Sequence, residues 1–283
     1  MPITLSADKV CTYKFGKYSV CIHGENRLLR LLPHSWERFS FPRIEMPDVV
    51  IRLQDCEMPR LSDKPDGWSK AKIGNKHVVV YSRRGKVIFA IEHNVFCKDA
   101  CVCVSKPLDS YVRIGVHYAL LTMLHSCCVG LHGVTIRCDN QVIILSAPSG
   151  TGKTTLAELL QKYKNAEVVN GDFALLSYCE NGVYFEPTPF CGTSRQASNN
   201  RVKVDRIIFL EQAAENHMRR LHVQQALKRM MCNVFVPEWD ARMVESVLNN
   251  VMNIVSILPI SVLAFAPVKE ATDVFQYGIR CGN

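Results

Sequence analysis

The apolar positions change their rhythm along the chain. In the first hundred residues they fall in short, partly alternating runs rich in β-branched and aromatic side chains, at 10–15, 18–23, 49–53, 77–82 and 87–91. Alternation with period two predicts half-buried strands. Turn signals separate them: Phe15-Gly16-Lys17, Asp63-Lys64-Pro65-Asp66-Gly67 and Arg84-Gly85-Lys86. Residues 57–67 are polar and contain Pro59 and Pro65, which predicts a loop. Near residue 107 the period becomes helical. Val112, Val116, Leu120, Met123 and Leu124 recur along one face of 108–128, so this segment is expected to be a helix that joins the two halves or opens the second.

Beyond Gly130 the pattern alternates between strands and helices. Strands are expected at 131–138 and, after the turn Asp139-Asn140, at 141–147. A glycine-rich loop and a helix from 153 to 163 follow, then a short strand at 167–169 and a hairpin of 175–178 with 182–186. A buried strand at 204–210 and helices at 223–231 and 240–258 complete most of the rest. The stretch 251–268 is nearly all apolar, but Pro259 would break a spanning helix. It predicts a helix end, a turn and a buried strand at 260–265 instead of a membrane segment. The expected class is α/β, with a β-rich N-terminal region over 1–106 and a second domain over 107–283.

Composition adds limits. Hydrophobic residues make up 48% and charged residues 21%, the usual balance for a soluble globular protein. The net charge of +8 suits anionic ligands, yet the basic residues are scattered apart from Arg83-Arg84 and Arg219-Arg220, so nucleic acid is not expected as a partner. The thirteen cysteines form an odd set, and Asp8 and Lys9 interrupt any secretory opening. They are expected to be reduced, small apolar side chains of a cytoplasmic protein. Cys97, Cys101 and Cys103 match no zinc ribbon spacing. His117 and His125 on the helix are read as packing or surface histidines.

One segment carries specific chemistry. Ala147-Pro148-Ser149-Gly150-Thr151-Gly152-Lys153-Thr154-Thr155 follows an apolar strand and opens a helix. This is the context of the Walker A pattern, with Ala147 in place of its first glycine. Gly150 and Gly152 permit backbone conformations that turn successive amides inward, and the helix N-terminus adds positive potential. Lys153 would reach the β- and γ-phosphates and the Thr154 hydroxyl would ligate Mg²⁺. The expected cofactors are ATP and Mg²⁺, with Ser149, Gly150, Thr151, Gly152, Lys153, Thr154 and Thr155 in contact.

A bound triphosphate also calls for a carboxylate at the carboxyl end of a neighbouring strand. Asp172, after the strand 167–169 and the turn Asn170-Gly171, fits best as base and metal contact, although a turn-capping Asp would look similar. Glu211, after the strand 204–210, is the second candidate. Asp205 lies at the wrong end of that strand.

Taken together, Leu131-His132-Gly133-Val134, the loop and Val168-Val169-Asn170-Gly171-Asp172 resemble the catalytic domain of HPr kinase/phosphorylase and its relatives. Those relatives include peptide serine kinases, and the fold is similar to the nucleotide core of phosphoenolpyruvate carboxykinase. The resemblance covers about residues 129–176 and extends through weak motifs to the end. It implies a P-loop core and a kinase that transfers the γ-phosphoryl group to a hydroxyl, serine by family habit, of a small protein, peptide or metabolite. ATP over GTP rests on the same habit, as does assembly into homo-oligomers. His132 matches the family histidine, with a buried strand-end histidine as the alternative. The family's Asp-Asp pair is Gly171-Asp172 here, so one acid is missing. The loop 189–195 offers Gly192, Thr193 and Ser194 for close approach to a phosphate, and Arg195 to stabilise transferring charge. Loss of the acid also admits a nucleotide-dependent binding or regulatory module without turnover. A carboxykinase-like enzyme would need a second metal site that the sequence does not assemble.

Overall fold

Alternation becomes strand and helical spacing becomes helix, although one helix belongs to a different half than expected. The computed structural model describes residues 9–42, 44–58, 66–73, 76–94, 98–105, 108–192 and 194–281. Most of the predicted loop 57–67, Cys97 and Thr193 lie outside them. The chain is mixed α/β and divides into two compact units, Met1–His125 with Pro237–Ala241, and Ser126–Val236 with Arg242–Asn283.

In the first unit the strands are β1 (Lys9–Phe15), β2 (Tyr18–Gly24), β3 (Val49–Asp55), β4 (Gly67–Ile73), β5 (Lys76–Arg83), β6 (Lys86–Asn94) and β7 (Asp99–Val104). They form one mixed sheet in the order β1-β2-β3-β7-β6-β5-β4. Among the described residues of this unit, only β2, β3 and β7 pair in parallel. A short helix α1 (Asn26–Leu29) and a 3₁₀ turn (His34–Phe39) precede β3. The turn buries Trp36 and Phe39 against Tyr13 and Phe15.

Helix α2 (Asp109–Leu124) packs on β3, β6 and β7. Val112, Val116, Leu120, Met123 and Leu124 are buried, as their spacing predicts. Gly115 permits the approach, because a Cβ there would lie 2.6 Å from Val102 Cγ1. The helix therefore completes the first unit, and the division falls after His125 and not before residue 107. Strands β4 and β7 were not predicted. The sequence of β4, Gly-Trp-Ser-Lys-Ala-Lys-Ile, is polar enough to read as loop. Its Trp68 packs with Tyr81, Phe89, Tyr118 and Trp239. Cys101 and Cys103 of β7 are buried with Val78, Val80 and Ala90, as apolar packing requires.

The second unit opens with β8 (Cys128–Cys138) and β9 (Gln141–Ser146), then α3 (Lys153–Lys164), β10 (Glu167–Asn170), β11 (Phe173–Cys179) and β12 (Gly182–Glu186). It continues through β13 (Val202–Lys203), β14 (Arg206–Gln212), β15 (His217–Arg220), α4 (Val223–Asn233), α5 (Ala241–Ile257), β16 (Ile260–Phe265) and α6 (Glu270–Arg280). The sheet order is β13-β12-β11-β8-β9-β14-β16-β15, with β10 on the side of β8. Strands β9, β14 and β16 run parallel at its centre.

These central strands are apolar on both faces, which is what a covered parallel sheet needs. Ile144, Ile207, Phe209 and Val262 face one core with Met230 of α4 and Val247, Val251 and Ile254 of α5. Ile143, Leu145, Ile208, Leu210 and Leu263 face the other with Leu156 and Leu160 of α3 and Phe275 and Ile279 of α6. Helix α5 ends at Ile257, and every residue of β16 is buried. Among the described residues no helix is long and apolar enough to cross a membrane.

Candidate functional site

The end of β9 turns into the segment that the sequence marks out. Gly150 has φ 82° and Gly152 φ 105°, backbone conformations that a side chain would resist. A Cβ on Gly152 would also meet Phe265 Cζ at 3.0 Å, at the carboxyl end of β16. The Thr151 hydroxyl donates to Pro148 O at 3.0 Å and closes the turn. Gln212, at the end of β14, donates to Gly150 O at 3.5 Å. The loop thus lies at the carboxyl edge of the three parallel strands, where open α/β sheets place ligands.

Helix α3 begins at Lys153, and its first intrahelical partner outside that span is Gly152 O, which accepts from Leu156 N–H at 2.9 Å. No acceptor among the described residues takes the amide hydrogens of Gly150, Gly152, Lys153, Thr154 or Thr155. Unpaired first-turn donors are general to helices, and here they adjoin a loop rather than a side-chain cap. Ser149, Thr154 and Thr155 are exposed and Thr151 is half-buried.

Lys153 is different from a surface lysine. It is only 8% exposed. Its Nζ donates to Ala147 O at 2.7 Å and to Pro148 O at 3.1 Å. Burial pushes its pKa down, and the negative charge of Asp172 works in the opposite direction. The ammonium is thus held by two carbonyl dipoles and lies within the field of one carboxylate.

Asp172 is presented by an Asx turn. Asn170 is fully buried. Its Oδ1 accepts from the amides of Asp172 at 3.1 Å and Phe173 at 3.2 Å, and its Nδ2 donates to Thr188 O at 3.2 Å. The Asp172 carbonyl accepts from Gly133 N–H at 2.9 Å. Strand register then does the rest. Phe173 stands opposite His132, and Gly133 stands opposite Ser146 at the mouth of the loop. The carboxylate Oδ1 lies 3.4 Å from His132 Nε2, and the two side chains are 47% and 38% exposed. His132, Asp172 and Lys153 therefore belong to one neighbourhood, with His132 partly open to solvent and not buried.

The remaining candidates sit differently. The Glu211 carboxylate, at the end of β14, is paired with Arg229 of α4. Arg195 is exposed with φ 57°. Ser194, Asn170 and Phe265 contribute contacts that the sequence reading did not assign. The Asn-Gly-Asp string signals a turn, but no local signal marks Phe265 as the floor beneath Gly152. Among the described residues no group of three or more His, Cys, Asp or Glu could hold a metal ion.

No family model matches the chain, and no curated protein matches it. In structure the chain is similar to the HPr(Ser) kinase/phosphatase from Coxiella burnetii over 54% of this chain and 88% of that one, at 11% identity and a TM-score of 0.33, a likeness too low to carry an argument about activity.

Proposed function

We propose that the second unit is a P-loop kinase module that binds a nucleoside triphosphate, ATP with Mg²⁺, on residues 147–155 and transfers its γ-phosphoryl group to a hydroxyl. The acceptor class is a serine of a small protein or peptide, or a metabolite hydroxyl. The observation that carries the proposal is Lys153, a buried ammonium at the head of a row of unpaired amides with the Asp172 charge acting on it. The ammonium and the unpaired amides favour a polyphosphate over any neutral ligand.

In this reading the amides of 150–155 cradle the phosphate chain and Lys153 draws negative charge from its terminal oxygens. The Thr154 hydroxyl and the Asp172 carboxylate are the groups that would hold Mg²⁺. A hydroxyl with one carboxylate and the nucleotide's own oxygens suits that ion, which keeps waters and needs no protein cage. Bound Mg²⁺ would supply charge neutralisation at the phosphates. Asp172 takes the proton of the acceptor hydroxyl as its oxygen bonds to Pγ and the bond from Pγ to the bridging oxygen breaks. His132, at 3.4 Å, holds the carboxylate in place. Placement and fixed charge carry the catalysis.

The missing acid supports a second reading, a nucleotide-dependent binding or regulatory module without turnover. A Cβ on Gly171 would lie 1.8 Å from Ser194 Oγ, so no side chain fits where a paired acid would start. Asp172→Asn separates the readings. In titrations with ATP in the absence of Mg²⁺ the variant should keep nucleotide affinity. As a kinase it should lose transfer to seryl peptides by about a hundredfold or more, the usual share of a general base. A variant with undiminished transfer would remove Asp172 from the mechanism, and a wild-type protein that binds nucleotide without transfer or hydrolysis would favour the second reading.

A further inference from the structure

Resting on the kinase reading above, we propose that Ser194 is itself an acceptor, so that the chain phosphorylates its own loop. Two close contacts place Ser194 and its loop beside Asp172. Ser194 Oγ lies against the backbone of Gly171, only 1.8 Å from where a Cβ would stand. Gly192, with φ 58°, lies so near Asp172 that its own Cβ would be 2.8 Å from Asp172 Cβ and Cγ.

The loop is fixed there by main-chain bonds. Gly171 N–H donates to Gln196 O at 3.1 Å, Ser198 N–H donates to Val169 O at 2.7 Å, and Asn170 bridges to Ala197. Ser194 Oγ donates to Cys191 O at 2.8 Å and accepts from Gln196 N–H at 3.2 Å. For transfer, a rotation about its Cα–Cβ bond must free the hydroxyl from that carbonyl and turn it toward Asp172. Ser194 is half-buried rather than closed off. In the step, Ser194 Oγ bonds to Pγ of ATP, the bond from Pγ to the β,γ-bridging oxygen breaks, the proton passes to Asp172, and ADP leaves. The product is a phosphoserine beside Arg195, whose guanidinium has no bond to any described residue and could pair with it. This also gives a use to a loop that occupies the space of the missing acid.

The experiment is to incubate the full-length protein with Mg·ATP, weigh it intact and map the modified peptide. One phosphoryl group is expected, on Ser194, at a rate independent of protein concentration. Ser194→Ala should abolish it, Ser194→Thr should retain it at a lower rate, and Asp172→Asn should slow it about a hundredfold or more. A protein that transfers phosphoryl to an added peptide or hydrolyses ATP, yet carries none on Ser194, overturns this inference and leaves the kinase reading standing. Modification elsewhere, or a rate that rises with protein concentration, overturns the intramolecular route. A protein that binds no nucleotide removes both the inference and its basis.

Discussion

Two basic side chains, one in each unit, are drawn out of solvent, Lys153 almost fully and His93 in part, and they serve opposite ends. Lys153 in the second unit and His93 in the first both have their pKa pushed down, chiefly by burial, and both feel an aspartate that pulls it back, Asp172 and Asp240 respectively. His125 adds to the downward push on His93. Their hydrogen bonds decide the difference. Lys153 donates hydrogen bonds to two carbonyls, so its neighbours favour the cation. His93 Nε2 receives the indole N–H of Trp239 at 3.1 Å, so its neighbour holds it neutral. The first arrangement leaves a positive charge beside unpaired amides and calls for an anion. The second is a satisfied pair inside an aromatic cluster. Burial alone therefore does not mark a binding site; the direction of the hydrogen bonds does.

The largest test of this contrast is Lys153→Met. If the ammonium serves a polyphosphate, losing it should cost about 1.5–3 kcal/mol of Mg·ATP affinity, roughly tenfold to a hundredfold, as for a hydrogen bond to a charged group. The pH dependence should identify the same atom. The folded-state pKa of Lys153 is lowered, so between that value and the ordinary lysine range the unfolded chain holds the proton that the folded chain has lost. The stability contribution therefore rises with pH across that window. Polyphosphate affinity should fall across it, because the ligand needs the ammonium. Calorimetric titration and urea unfolding over alkaline pH should show these opposite slopes in the wild type and neither in Lys153→Met. Parallel slopes would refute the assignment.

How much of this could be read beforehand depends on chain distance. The strand, loop and helix around Lys153 are contiguous, and apolar alternation, two glycines and helical spacing specify them without help from elsewhere. The turn at Asn170-Gly171-Asp172 is equally local. The Asp172–His132 contact needed the register of β11 on β8, and only the resemblance to a family brought those residues together in advance. The closeness of Ser194 to Gly171 could not be read, because a residue twenty-odd positions away fills that space. Trp239 was hidden for the same reason. It sits in Pro237–Ala241, a short segment that belongs to the first unit although the residues on either side belong to the second. Helix α2 was correctly periodic but assigned to the wrong half, since its spacing defines an apolar face without naming the sheet it covers.

A middle-sized effect is expected from Gly152→Ala, which perturbs the backbone beneath Lys153 and spares its charge. The residue has φ 105°, and the new methyl would meet Phe265 Cζ at 3.0 Å. An L side chain in such a conformation costs about 1–3 kcal/mol. The urea midpoint should fall accordingly, and nucleotide affinity should fall with it because the loop must shift. Unchanged stability would mean that the glycine is replaceable and that its positive φ has no part in shaping the loop.

The smallest effect belongs to the other half of the contrast. Trp239→Phe keeps a ring against Trp68, whose centroid lies 4.7 Å away, but removes the N–H that His93 accepts. Leaving a partly buried acceptor without its donor should cost about 1 kcal/mol near neutral pH. The sign on the acid side is the sharper prediction. With a lowered pKa, His93 supports the fold above the ordinary histidine range, and that support is lost as pH falls through the window down to its folded-state value. Deleting the donor weakens the neutral form alone, so the His93 pKa should rise toward the ordinary value and the acid-induced loss should shrink. A histidine titration followed by NMR reads this directly. If the His93 pKa stayed where it is in the wild type, the indole would be a packing partner only, and the direction of its hydrogen bond would not be what separates His93 from Lys153.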